Sequence, residues 1–171
     1  KDDDVFWCTS DIGWVVGHSY IVYAPLVSGA TTVFREGAID HPNPGVFYEI
    51  IEKYGVNVIF TAPTLLRMLM RYGEEYPLKY DLTSLRFLTC AGEPLNPEAL
   101  KWTYEFICGN GEWGHIVDNW WQTETGGPCL GTSATMPVKP GRVGRALPGA
   151  ELDIVDREGQ PITEPNVGGL L

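Results

Sequence analysis

Asn57-Val58-Ile59-Phe60-Thr61-Ala62-Pro63-Thr64-Leu65-Leu66-Arg67-Met68-Leu69-Met70-Arg71-Tyr72-Gly73 is the stretch on which the fold turns. Its opening run, Asn57-Val58-Ile59-Phe60, is rich in β-branched and aromatic residues and predicts a buried strand. Pro63 suits the first position of a helix, where a missing N–H is no loss. Leu65, Met68, Leu69 and Tyr72 then recur at helical spacing and predict one apolar face. Gly73 is a natural stop. A strand that feeds a helix in this way is half of a parallel crossover unit.

The same unit recurs on both sides. Upstream, Asn43-Pro44 predicts a helix cap and first position, Phe47, Ile50, Ile51 and Tyr54 form one stripe, and Gly55 ends it. Downstream, residues 85–89 predict a strand, and Asn96-Pro97 a capped helix with Leu100, Tyr104, Ile107 and Cys108 in register. Residues 115–118 predict the next strand. Val5-Phe6-Trp7-Cys8 and Thr31-Thr32-Val33-Phe34 read as two more, with a helix over about 17–27 between them. Strands alternating with helices imply an α/β fold: a doubly wound, mostly parallel sheet flanked by helices. Ligands of such sheets sit beyond the carboxyl ends of the strands, so the loops after Thr89 and after Asp118 are the places to look for chemistry.

The texture changes after Gly126, where Gly, Pro, Ser and Thr dominate. Glu151-Leu152-Asp153-Ile154-Val155-Asp156 then alternates, and Asp156-Arg157-Glu158-Gly159 reads as a hairpin turn. Two parts are therefore expected: an α/β portion over 1–127, and the start of a β-rich, barrel-like portion over 128–171. Gly168-Gly169-Leu170-Leu171 begins another strand, and we expect the chain to be a piece of something longer.

Composition narrows the function. The 171 residues are 44% hydrophobic and 20% charged, enough for a real core and unlike a disordered tail. The net charge of −10 makes nucleic acid and anionic lipid poor partners. The apolar runs are too short to span a bilayer. Cys8, Cys90, Cys108 and Cys129 show no metal-ligand spacing and read as reduced thiols of a cytoplasmic protein. His18, His41 and His115 read as structural residues, and Met68, Tyr72, Tyr104 and Phe106 as core.

Two loops carry candidate chemistry. In Cys90-Ala91-Gly92-Glu93-Pro94-Leu95, Gly92 permits close approach of a ligand to the backbone, and Glu93 offers a carboxylate nearby. In Asp118-Asn119-Trp120-Trp121-Gln122-Thr123-Glu124-Thr125-Gly126-Gly127, the hydroxyls of Thr123 and Thr125 and the paired glycines suit phosphate oxygens. Glu124 suits a magnesium ion, since hard cations prefer carboxylate oxygen. The two tryptophans supply flat apolar walls.

The run Trp120-Trp121-Gln122-Thr123-Glu124-Thr125-Gly126-Gly127 resembles the adenylate-forming motif of AMP-forming acetyl-CoA and propionyl-CoA synthetases. Gly92-Glu93-Pro94-Leu95-Asn96-Pro97-Glu98 is similar to that family's adenine-binding segment. Gly13-Trp14-Val15-Val16-Gly17-His18-Ser19-Tyr20 and Thr61-Ala62-Pro63-Thr64 also match, in the right order. The resemblance covers nearly the whole chain and corresponds to an internal part of the family's large N-terminal domain. It implies a ligase that joins a small carboxylic acid to ATP as acyl-AMP, releasing pyrophosphate, and then passes the acyl group to coenzyme A.

The resemblance also implies site residues. Gly92, Glu93 and Pro94 would contact adenine, and Asp118, Asn119, Trp120, Trp121, Gln122 and Thr123 would line the nucleotide. The catalytic roles would fall to Thr123 at the phosphate and Glu124 near Mg2+. Trp14, Val15, Val16, Ala91 and Trp121 would line the acyl pocket, and Val16, Asp40 and Ala62 would face CoA. Many acetate-using relatives carry valine where this chain has Ala91 and threonine where it has Val16, so acceptance of propionate is expected. The family's phosphate loop, ribose-binding aspartate and C-terminal catalytic lysine are not in this sequence, so the chain alone is expected to be inactive and to need the rest of the same enzyme. An aryl-CoA ligase, a peptide-synthetase adenylation domain and a non-catalytic binding fragment are the other readings.

Overall fold

The computed structural model describes residues 1–133 and 135–171. Five parallel strands form the centre: β1 (Val5–Cys8), β2 (Thr31–Val33), β3 (Val58–Thr61), β4 (Phe87–Cys90) and β5 (His115–Trp120). Two short strands, β6 (Leu130–Gly131) and β7 (Arg145–Ala146), extend the sheet antiparallel beyond β5. The order across the seven strands is β2-β1-β3-β4-β5-β6-β7. From β1 the chain steps outward to β2, then returns past β1 to β3. The winding direction therefore reverses at the β1/β3 boundary, where α/β sheets bind ligands.

Register explains the two faces. Trp7, Ile59, Leu88 and Ile116 stand side by side on β1, β3, β4 and β5. All four are buried in the main core with Phe47 and Ile51 of α3 (Val46–Tyr54), Leu66 and Leu69 of α4 (Pro63–Tyr72), and Ala99 and Leu100 of α5 (Pro97–Phe106). One residue further on, the row is Cys8, Phe60, Thr89 and Val117, which the pleat turns to the opposite face. There Cys8, Phe60 and Ala91 form a smaller cluster with Val16, Tyr20 and Ile21. These last three come from a continuous helical segment: α1 (Val15–Gly17), a π-helical stretch (His18–Tyr23) and α2 (Ala24–Val27).

The structure corrects several boundaries. The helix expected from Pro44 starts at Val46, because the Asn43 side chain accepts the Gly45 N–H at 2.8 Å and closes a turn first. Gly55 ends it as expected, at φ 59°. On α4 the buried residue is Leu66, with Leu65 only half-buried. Leu65, Leu66, Met68, Leu69 and Met70 are all apolar, so the pattern did not single out the inward face. Tyr54 and Tyr104 are exposed rather than core. The helix expected over 17–27 begins two residues earlier, and β5 continues two residues past Asp118. In the tail, the 156–159 turn forms, with Asp156 Oδ1 accepting the N–H groups of Glu158 and Gln160. Val155 bridges Pro161 and Leu170 there.

Candidate active site

A cleft of about 530 Å³ opens at the carboxyl ends of β1, β3, β4 and β5. Ser10 enters it after β1, Phe60, Thr61 and Ala62 at the end of β3, Ala91, Gly92 and Glu93 after β4, and Trp121, Gln122 and Thr123 after β5. Trp14, Val15 and Val16 line it from the start of α1. At the strand-order reversal, the Thr9 hydroxyl donates to Thr61 Oγ1 at 2.8 Å and ties the end of β1 to the end of β3. Gly17 lets the helix sit this close. A Cβ there would lie 2.4 Å from the carbonyl oxygen of Asp11 and 2.5 Å from Cα of Ile12, both backbone atoms that cannot yield.

One side of the cleft is apolar. Val16, Phe60, Ala91 and Trp121 face it, and Ala91 is buried. Behind them, the Tyr20 ring stacks on Phe60 with centroids 4.5 Å apart and meets Trp121 edge-on at 5.9 Å. Burial pushes the Cys8 thiol up to about 11 and the Cys90 thiol well above its ordinary value. These cysteines are packing groups and not activated nucleophiles.

The other side is polar. Gly92 adopts φ 97°, and the space where a side chain would project is open. The Glu93 carboxylate is engaged from α4: the Thr64 hydroxyl donates to Oε1, and Arg67 donates to Oε2 at 2.8 Å. Partial burial raises the Glu93 pKa, but those hydrogen bonds and the guanidinium charge outweigh it and hold the carboxyl below its usual value. After Trp121 the chain makes one tight turn, Thr123–Thr125, closed by Gly126 at φ 72°. The Gln122 N–H donates to the Thr125 hydroxyl at 3.0 Å, and that hydroxyl reaches the carbonyl oxygens of Gln122 and Gly127 at 2.9 and 3.0 Å. Thr125 is thus spent inside the turn, while Thr123 and Glu124 present exposed side chains.

The structure gathers Trp14, Val15, Val16, Ala62, Ala91, Gly92, Glu93, Trp121, Gln122 and Thr123 onto one cleft. Glu124 adjoins it on the turn, and Pro94 is exposed on the next loop. Asp118, Asn119 and Trp120 lie within β5 and do not line the cleft. Asn119 donates to the Thr89 hydroxyl at 2.6 Å. Burial pushes the Asp118 carboxyl up, the amides of Leu95 and Asn119 oppose the shift, and Oδ1 of Asp118 has no hydrogen-bond partner. Asp40 accepts the Tyr72 hydroxyl at 2.7 Å at the far end of α4, roughly 15 Å of helix away from Ala62. The structure does not bring it to the cleft.

Sequence reasoning gave no site role to Ser10, Phe60 and Thr61, which line the cleft, or to Tyr20, Thr64 and Arg67 around it. Phe60 read only as part of a buried strand, and Tyr20 and Thr64 only as members of longer family-like runs. Arg67 and Glu93 are joined only through the fold. Among the described residues no three His, Cys, Asp or Glu side chains gather around a common metal position. Glu124 is one exposed hard-oxygen donor, which fits a Mg2+ ion held by one carboxylate and substrate phosphates and not by a protein cage.

The sequence profile of the AMP-binding enzyme family matches residues 1–171. The acetyl-coenzyme A synthetase of Pyrobaculum aerophilum is 51% identical over 174 residues, covering 100% of this chain and 26% of its own length. That of Methanothrix soehngenii is 50% identical over 171 residues, with coverages of 100% and 25%. The crystal structure of an acyl-CoA synthetase from Brucella canis superimposes with a TM-score of 0.84 at 32% identity, over 97% of this chain and 29% of that one. The chain spans about a quarter of the length of the curated relatives it matches. No helix among the described residues is long and apolar enough to cross a membrane.

Proposed function

We propose that this chain, which belongs to the AMP-binding enzyme family, supplies the acid-binding wall and part of the nucleotide site of an AMP-forming short-chain acyl-CoA synthetase. The reaction is acetate or propionate plus ATP and CoA, giving acyl-CoA, AMP and pyrophosphate through an acyl-adenylate. One observation carries the reading. A small apolar wall of Val16, Ala91 and Trp121 adjoins, without a break in the chain at residues 121–123, a polar turn that carries Thr123 and Glu124. A short acyl tail and a phosphoryl group can therefore be held side by side.

The chemistry asks little of acid–base catalysis. A carboxylic acid is already ionised at neutral pH, so its oxygen attacks the α-phosphorus without a general base. The residues must orient the carboxylate, exclude water and stabilise charge at phosphorus. Val16, Ala91 and Trp121 orient the acyl tail, and the Thr123 hydroxyl faces the phosphate. The open backbone at Gly92 accepts the flat face of the adenine. Glu124 is the residue that would hold Mg2+, which supplies charge neutralisation on the phosphates. Val16 and Ala62 are the positions proposed to meet CoA, whereas Asp40 sits apart. The two-part division at residue 127 is part of the same proposal, with the tail from 128 leading into a β-rich portion.

Ala91 leaves room beyond the acetate methyl, and Trp121 closes the pocket against long or aromatic acids. The test is a panel of two- to six-carbon acids and benzoate, assayed by acid-dependent pyrophosphate release and thioester formation with the full-length protein that carries this chain. Turnover with acetate and propionate supports the reading. Turnover with benzoate alone would overturn it.

A further inference from the structure

We infer that Tyr20 is a specificity-determining positioning residue: it backs Trp121 from behind the acyl wall and so fixes the depth of the acid pocket. The inference rests on the acyl-pocket reading above and extends it to a residue that does not line the cleft.

Tyr20 stands at a junction of rings. It stacks on Phe60 at 4.5 Å with planes 20° apart, and meets Trp121 at 5.9 Å with planes 77° apart. The second arrangement is the favourable edge-to-face geometry of aromatic pairs. Phe60 and Trp121 both line the cleft, and Tyr20 does not. Among the described residues, Tyr20 is the one aromatic ring set against Trp121. Cys8, Phe60 and Ala91 are the buried residues of this cluster, and Tyr20 and Trp121 both pack against it partly buried.

The backbone holds Tyr20 in place by two devices. Gly17 seats the helix start directly on the backbone of Asp11 and Ile12. Directly after Gly17 the helix widens into the π-helical stretch His18–Tyr23, where the Ala24 N–H bonds to the Ser19 carbonyl. Such stretches are rare and concentrate at functional sites. Here the widened turn carries Tyr20 against the sheet, so its ring is held from the sheet side by Phe60 and from the helix side by the π turn.

Loss of the Tyr20 ring leaves the Trp121 edge unsupported. The indole then swings into the vacated space, and the pocket lengthens by a methylene or more. Ring retention, not the hydroxyl, is what matters, so Tyr20→Phe keeps the wild-type profile.

The experiment measures kcat and KM for acetate, propionate, butyrate and valerate, and KM for ATP, in the full-length protein. The variants are Tyr20→Phe, Tyr20→Leu and Tyr20→Ala, with Tyr20→Leu also placed in a Trp121→Ala background. Tyr20→Leu and Tyr20→Ala are expected to raise the butyrate-to-acetate ratio of kcat/KM by roughly tenfold or more, the scale of one methylene in an apolar pocket. ATP KM is expected to stay within about twofold. In the Trp121→Ala background the Leu substitution is expected to add nothing, since its effect passes through the indole. An unchanged chain-length ratio in soluble Tyr20→Leu overturns the inference, as does an undiminished Leu effect without Trp121. Leu keeps most of the apolar bulk, so the test stands if Tyr20→Ala fails to fold. Wild type without turnover of any short acid overturns the acyl-pocket reading itself, an outcome visible before any variant is made.

Discussion

Arg67 donates to the Glu93 carboxylate at 2.8 Å across two different strand–helix connections. Thr64, one turn earlier on α4, binds the other carboxylate oxygen. Glu93 is therefore a strut that pins the loop after β4 to the first turn of α4. Partial burial works against its charged form, and the two donors and the guanidinium charge more than compensate.

Arg67→Met removes the charged half of this strut. A group with a lowered folded pKa stabilises above its unfolded value, about 4.3 for glutamate, and the contribution fades as pH falls through the folded value. The difference in urea midpoint between wild type and Arg67→Met is thus expected at pH 7 and should close below about pH 4. The pair is about one-third exposed, so the gap at pH 7 should be small, within roughly 1 kcal/mol. A gap that widens on acidification would show that Glu93 is not the partner responsible.

Ala91→Val fills cleft space that the proposed function assigns to a longer acyl tail. Wild type is expected to use propionate at least as well as acetate. The variant should shift kcat/KM toward acetate by about 1–3 kcal/mol, the value of one methylene in such a pocket. Acetate preferred more than tenfold by the wild type would sink the assignment of Ala91.

The Thr125 hydroxyl closes the turn on which Thr123 and Glu124 ride. Thr125→Val keeps the shape and removes the hydroxyl, leaving the Gln122 N–H without its partner. We expect kcat to fall about 10- to 100-fold, consistent with a lost positioning contact of about 1.4–2.7 kcal/mol. Thr125→Ser should restore most of it. If Val and Ser behave alike in single-turnover assays, the hydroxyl is not what orders the turn.

Cys8, Cys90 and Cys108 are buried, and burial pushes the Cys8 and Cys108 thiols up to about 11 and about 12. Cys129 is only partly buried. A neutral-pH thiol reagent, read by peptide mapping, should modify Cys129 first and the other three only on unfolding. Early labelling of Cys90 would contradict the placement of β4 in the core.

The alternation of strand and helix was legible because each unit carries its own punctuation: Pro63 and Gly73 around α4, Asn96-Pro97 before α5, Gly55 after α3. The cleft was partly legible for the same reason, since the loops after β4 and β5 must lie at one end of a parallel sheet. Other features depended on partners distant in the chain. Leu65 and Leu66 are equivalent until the sheet picks one of them. Nothing in the sequence sets Tyr20 apart within its run, and only the fold brings its ring against Trp121. Asp40 shows the reverse: the family resemblance drew it toward CoA, and its hydrogen bond to Tyr72 holds it at the far end of α4.

The passage from Trp121 to Gln122 has an evolutionary corollary. On one side of that peptide unit the wall is made of side chains whose sizes can vary, Val16, Ala91 and the Tyr20–Trp121 pair. On the other, the turn draws its rigidity from its own Thr125 hydroxyl and Gly126. If the wall holds the acid as proposed, changes in which acid is accepted can accumulate without disturbing the turn assigned to phosphate. Gly17 is the exception, because the helix bearing half the wall has no clearance there for even a methyl group. Under the proposed function, preference among acids can drift around that one fixed pivot while the turn assigned to phosphate is left as it is.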